Sequence, residues 1–444
     1  MNHAFLRLLA GIAIATMIIF VPLMVYSATD RFHRSLDARQ YATVFGVIAF
    51  VGAFLFVPAL SIVFGTALVA LLIAWASANT ALTGLQYERV CSPDRLFPGD
   101  RAELTVRVTN RKLLPLAWLT VTDPVRFSVA RSNTVLHDLL RISGGVEVQE
   151  NLSHALVNHA AIGPYGRVVR RFTVEARVRG VYRFGPAEVQ TGDPFGLHTR
   201  TARLGDSITI TVYPRLLPAH EVDVPFRQAL GDLVARRALS DDPTLIAGSR
   251  EYQVGDPLHH IHWKATARTA SIQVRLADPS TTAQVMIVLN INAFQQVWEG
   301  IDPDRMEAAI EVAASAALWA HEHDFPIGLR SNGVVAGADR SPRIAPSAAP
   351  QQLTTILNAL AHLAFSGQRP AEMLLLDEAQ RLPVGGTILF ITPMVTPDIA
   401  EVLTSRRLRG RVSVLYCGRH AAPVIRGLPI TLVAPTRGEP HAIS

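Results

Sequence analysis

A chain of 444 residues, 49% hydrophobic and 18% charged, is long enough for two soluble domains plus a membrane region at about 100–200 residues per domain. Its apolar excess lies before residue 80, and the net charge of +6 is scattered through strand-like segments, with small clusters at Arg236-Arg237 and Arg406-Arg407-Leu408-Arg409. Such cations without interleaved aromatics suit a surface facing anionic lipid and exclude a nucleic-acid groove. Cys91 and Cys417, the only cysteines, fall in different modules, which excludes a disulfide framework.

From Leu8 to Thr29 no residue is charged, enough for one transmembrane helix over about 5–27; a cleavable signal peptide is the rival reading. Tyr41 to Ala78 is again uncharged and nearly twice the length of one span, so it is either a hairpin or one overlong helix. Pro58, near its middle, removes a backbone donor and clashes with the preceding turn, which favours spans of about 41–57 and 60–78. Residues 1–80 are thus expected to form a multi-pass anchor. Arg31, Arg34 and Arg39 hold the first loop inside, so three spans leave the soluble part cytoplasmic and two would export it.

Residues 85–225 alternate apolar and polar side chains, as in Ala102 to Thr109, between Gly and Pro turn signals, and are expected to form a β-sandwich-like domain. Asp193-Pro-Phe-Gly-Leu197 is expected to be a turn followed by a buried aromatic. Residues 226–282 are expected to be a polar connection and a distinctive loop. Residues 283–440 are expected to form an α/β doubly wound domain. Strands are predicted at Val285–Leu289, Pro326–Leu329, Thr387–Ile391 and Val412–Tyr416. Helices are predicted at Arg305–His323, Gln351–Leu363 and Asp398–Leu408, and a surface loop over Ser341–Pro350.

The least bland stretch is Arg250 to Arg268. Gly255-Asp256-Pro257 has turn chemistry, and the apolar pair Ile261 and Trp263, two apart, is mixed with His259, His260, His262, Lys264 and Arg268, so one side of a strand can pack while the other presents cations and imidazoles. A zinc reading of these histidines lacks further ligands, because His259 falls on the opposite strand face from His260 and His262. No phosphate loop, nucleophile elbow or His-Glu-x-x-His motif occurs, so no catalytic residue, metal or cofactor is assigned.

Arg250-Glu-Tyr252, Gly255-Asp256, Ile261-x-Trp263 and Ala267-Arg268 resemble the signature of the bacterial membrane-anchored family named domain of unknown function 58. Gly99-Asp100, Val108-Thr-Asn110, Arg179-Gly-Val-Tyr182, Asp193-Pro-Phe-Gly-Leu197 and Val212-Tyr-Pro214 follow the family's order. Where the family usually has Arg, this chain has His259. The resemblance implies a β-rich region before a von Willebrand factor A-like domain, and work as a scaffold with MoxR-type AAA+ ATPases. A metal-binding domain of that type carries Asp-x-Ser-x-Ser after its first strand; here Asn290, Asn292 and Phe294 stand in those places, a degenerate metal site.

The expectation is therefore a non-enzymatic scaffold in the inner membrane that binds a protein partner through Arg250, Tyr252, Asp256, His260, Trp263 and Arg268. The alternatives are a metal-dependent adhesion module and a membrane hydrolase using the His-rich loop. Trp263 is expected to be buried, with Arg268 holding the Asp256 turn.

Overall fold

The computed structural model describes residues 45, 46, 48, 50, 58–128, 140–143, 155–196, 198–240, 248–253, 261–269, 271–276, 283–294, 302–335, 340–367, 369–383, 385–418, 422–426, 428 and 430–433. The expected span over 5–27 and the arginines that would orient it lie outside these residues, as do Asp256, His259 and His260.

Helix α1 spans Pro58–Thr80. Its segment Ser61–Thr80 is, among the described residues, the one helix long and apolar enough to cross a membrane, and 11% of it is buried. Of the span expected over 41–57, residues 45, 46, 48 and 50 are helical. The Phe45 ring meets that of Phe64 in a tilted arrangement at 5.8 Å between centroids, so Phe45 lies against α1.

Eleven strands follow among the described residues: β1 (Leu85–Ser92), β2 (Arg95–Leu96), β3 (Arg101–Asn110), β4 (Leu116–Ser128), β5 (Leu140–Ser143), β6 (Ala155–Ile162), β7 (Arg167–Ala176), β8 (Gly180–Phe184), β9 (Ala187–Gly192), β10 (Thr199–Leu204) and β11 (Ile208–Val212). They make two sheets, one ordered β1-β3-β7-β5 and the other β10-β9-β4-β8-β11-β2 with β6 also on β4. Every second residue of β3 is buried, and Leu104, Val106, Phe172 and Val174 of the first sheet share one core with Tyr182, Phe184, Val189 and Ile210 of the second. Inside it Arg89 pairs with Asp123, which also accepts from the Tyr87 hydroxyl at 2.9 Å. Burial pushes the Tyr87 phenol well above its ordinary range.

Helix α2 (Ala219–Ser240) replaces the expected polar connection after residue 226. Val222, Phe226 and Leu230 recur every fourth residue, giving one face that joins the next core, where Phe226 meets Trp319 edge-on at 6.3 Å. After α2 come β12 (Gly248–Glu251), α3 (Trp263–Thr269) and β13 (Gln273–Leu276), with β12 and β13 antiparallel.

The last unit contains β14 (Val285–Leu289), α4 (Pro303–Glu322), β15 (Ile327–Ser331), β16 (Gly333–Val335), β17 (Arg343–Ser347), α5 (Gln352–Ala361) and β18 (Leu363–Gly367). It continues with α6 (Ala371–Arg381), β19 (Thr387–Thr392), α7 (Pro397–Thr404), β20 (Val412–Tyr416) and β21 (Ile430–Leu432). Its main sheet is ordered β17-β15-β14-β19-β20-β21, parallel except for the antiparallel edge β17. Val285, Ile287 and Leu289 of β14 pack with residues of α2, α4 and α5, while Met286 and Val288 pack with α6 and α7. A continuous apolar strand is what a sheet covered on both faces requires.

The expected loop over Ser341–Pro350 is instead edge strand β17, a position where Pro346 deprives no neighbour of a donor. Gly328 makes the pairing possible, because a Cβ there would stand 2.7 Å from the Ile344 carbonyl oxygen. Arg343 then fastens β17 to α6 through two bonds to Glu378, at 2.7 and 3.1 Å.

Arg179 is a main link between the sandwich and this unit. Arg179, in the turn between β7 and β8, pairs with Glu307 of α4 at 2.7 Å and donates to the carbonyls of Leu360, Ala361 and Leu363 at 2.7, 3.2 and 3.0 Å. The Leu360 and Ala361 carbonyls end α5, where a cation satisfies orphan acceptors and the helix dipole together, and that of Leu363 opens β18. Tyr213 and Leu217, just after β11, also enter the α/β core, and Leu217 N–H donates to Ser315 Oγ at 2.9 Å.

Candidate functional site

In a doubly wound sheet, ligands gather beyond the C-terminal ends of the strands where the order reverses. Here that place lies between β14 and β19, and Asn290 and Asn292 follow β14 directly. Asn290 is 2% exposed. Its Oδ1 accepts from Asn332 Nδ2 at 2.7 Å and from the Asn292 N–H at 3.1 Å, and its Nδ2 donates to Thr392 Oγ1 at 3.0 Å. Asn332, itself fully buried, accepts the Ile291 N–H at 2.9 Å, and the Thr392 hydroxyl donates to the Met394 carbonyl.

An amide oxygen has two lone pairs, and both on Asn290 face an N–H. The residues that would present oxygens to a hard cation instead tie three strand ends to one another. Gly367 of β18 closes over Asn292, since a Cβ there would stand 2.1 Å from Asn292 Oδ1.

Beside this network a cation is already present. Asp302 caps α4 by accepting the Arg305 N–H at 3.2 Å, and its carboxylate pairs with Arg305 Nε at 3.0 Å. The Arg305 guanidinium lies over the Phe294 ring, 5.6 Å from its centroid. Phe294 therefore stacks under a positive charge at the position where a hydroxyl ligand would stand. Among the described residues no group of three or more His, Cys, Asp or Glu side chains is arranged to hold a metal ion.

The second cluster is the Arg250–Arg268 stretch. Val274 of β13 is flanked by Arg250 of β12 on one side and by a single bridge to Ile261 on the other. The Tyr252 N–H donates to the Ile272 carbonyl at 2.8 Å, and the His262 N–H to the Gln273 carbonyl at 2.7 Å. These bonds bring Arg250, Tyr252 and Trp263 around one end of β13, although 10 residues separate Tyr252 from His262 in sequence.

Trp263 departs from expectation. The chain leaves the strand conformation after Ile261, and Trp263 opens α3, so the two residues share no face. Ile261 is 5% exposed and Trp263 is 68% exposed. Arg268, in the last turn of α3, is also exposed. Phe195 differs in the same way. The Asp193 carboxylate is buried and accepts the Phe195 and His198 N–H groups, which fixes the loop and leaves the Phe195 side chain 62% exposed at its tip.

The residues that the sequence reading passed over are Asn332, Thr392, Arg305 and Arg179. Thr392 ends β19, and Arg179 heads the Arg179-Gly-Val-Tyr182 stretch.

Similarity to solved structures is slight. The CARDB domain of the PF1109 protein from Pyrococcus furiosus shares 15% identity over 29% of this chain and 86% of that one, with a TM-score of 0.18. The sporulation control protein Spo0M from Bacillus subtilis shares 12% over 39% and 59%, with a TM-score of 0.17. An uncharacterized protein of Bacillus subtilis, YeaD, is 25% identical over 254 residues, which is 57% of this chain and 57% of the relative. Residues 248–416, from β12 through β20, match the family described as Protein of unknown function DUF58.

Proposed function

We propose that the chain is a membrane-anchored, non-enzymatic scaffold that recognises a protein partner without a metal ion. The observation that carries this reading is the sheet edge between β14 and β19. There the Asn290, Asn332 and Thr392 polar groups are spent on one another, and Arg305 occupies the ground beside them. The strand order with one antiparallel edge supports reading residues 283–440 as a von Willebrand factor A-like domain whose cation site has been replaced by hydrogen bonds. The α1 helix, with the helical residues 45, 46, 48 and 50 and the Phe45–Phe64 contact, supports a multi-pass anchor in the inner membrane.

Recognition is assigned to side chains around β13: the exposed Trp263 as the apolar anchor, with the half-buried Arg250 and Tyr252 and the exposed Arg268 beside it. The partner proposed is a MoxR-type AAA+ ATPase, the class that the signature's resemblance implies, acting in the maturation of envelope or membrane complexes. The test is capture of a purified ATPase of that type on the full chain in detergent. Trp263→Ala and Arg250→Ala should each lower capture while leaving the melting curve in place; capture at full strength by both variants would remove the docking role.

A further inference from the structure

Strand register gives the sandwich two distinct ends. Leu85 pairs with Asn110, Thr109 with Arg167, Leu116 with Ile162, and Gly192 with Thr199. The turns 111–115 and 163–166 and residues 193–196 therefore all lie at the end where β1 starts, which is the end α1 enters. The opposite end carries Arg179 and Tyr213 and meets the α/β unit.

These turns are built onto α1. Lys112 Nζ donates to the Thr80 and Ala81 carbonyls at the end of α1, and Arg200 donates to Asn79 Oδ1 at 2.8 Å. The buried Asn110 amide donates to the Leu114 carbonyl at 2.9 Å and to the Gly163 carbonyl at 3.0 Å, and the Tyr165 N–H donates to the Lys112 carbonyl at 3.0 Å. The first two turns are thus clamped together beside the helix terminus.

At their tips stand large apolar side chains: Leu113 is 70% exposed, Leu114 43%, Tyr165 68% and Phe195 62%. Arg111, Arg167 and Arg200 are exposed among them. A ring of aromatic and aliphatic tips with arginines, set around the terminus of an apolar helix, matches the chemistry of a membrane–water interface.

We propose that this end of the sandwich rests on the bilayer that α1 enters, with Leu113, Leu114, Tyr165 and Phe195 in the interfacial layer and Arg111, Arg167 and Arg200 against anionic headgroups. The proposal rests on the membrane reading of α1 given above. Because β3 has 10 residues at about 3.3 Å each, the α/β unit then stands roughly 30 Å from the lipid surface.

The test uses the full chain carrying Cys91→Ser, with a single environment-sensitive fluorophore at Leu113→Cys, Phe195→Cys, Leu72→Cys or Val424→Cys. Each is reconstituted into phosphatidylglycerol-containing liposomes with nitroxide-labelled lipid. Leu72 is 50% exposed on α1, and Val424 is 97% exposed in the α/β unit. The expected result is loss of fluorescence at positions 113, 195 and 72 and none at 424. Quenching at 72 without quenching at 113 and 195 would overturn the seating while keeping the anchor; no quenching at 72 would overturn the membrane reading and the seating with it.

Discussion

Arg179→Ala should loosen the joint between the sandwich and the α/β unit more than any other single truncation in the turn between β7 and β8. The Arg179 and Glu307 side chains are 4% and 13% exposed, so the guanidinium's departure leaves a carboxylate and the carbonyls of Leu360, Ala361 and Leu363 without their donor. Removing one partner of a buried pair costs about 3–5 kcal/mol, and the slight water access at Glu307 places the expected loss near ~3 kcal/mol. Urea unfolding of the full chain, followed by the rate at which Cys417 becomes alkylated, reads this directly, because that thiol is buried in the α/β core. Glu307→Ala and the double variant complete a cycle whose coupling should exceed about 1 kcal/mol. A midpoint for Arg179→Ala within about 0.5 kcal/mol of wild type, or additive single effects, would refute the latch.

Asn332→Ala should cost about 2–4 kcal/mol, since it leaves the Ile291 N–H and one Asn290 lone pair unanswered inside the sheet edge; chemical denaturation checks this. Trp263→Ala should change stability by no more than about 0.5 kcal/mol, because the ring is exposed; differential scanning fluorimetry would expose a larger loss. Burial, with the nearby Asp94 carboxylate, pushes the Cys91 thiol up to about 11 from its ordinary 9.0. The folded state then holds the Cys91 proton more tightly than the unfolded chain, so Cys91 weakens folding progressively as pH rises toward 11. At pH 8 folded Cys91 should alkylate roughly a hundredfold more slowly than a free thiol, and a mass-spectrometric time course measures the ratio.

Much of the architecture is legible in local pattern. Strand β14 is a continuous apolar run and β20 an apolar run broken only by Ser413, and α4 begins where Asp302 and Pro303 cap an alanine-rich stretch. Helix α6 gave no such cue, because its N-cap position is Pro370 without a capping side chain and three leucines run together at 374–376. For α2, net polarity hid the spacing of Val222, Phe226 and Leu230. The period-two reading of Ile261 and Trp263 failed because the chain turns into α3 two residues after the Ile261 bridge, and a change of backbone state moves every following side chain to a new direction. The site itself is partly readable. Asn290, Asn292 and Phe294 stand out by comparison with a cation-binding pattern, but their partners Asn332 and Thr392 lie 42 and 102 residues away from Asn290, and Glu307 lies 128 from Arg179. Separations of that size leave no periodic trace in a sequence.

Calorimetric titration of the full chain in detergent with MgCl2 and MnCl2 bears most directly on recognition without a metal. With both Asn290 lone pairs engaged and Arg305 lying over Phe294, neither salt should give a saturable heat at millimolar concentration, and Asn290→Ala should not change the trace. A saturable, one-site isotherm in the wild type that Asn290→Ala abolishes would contradict the account.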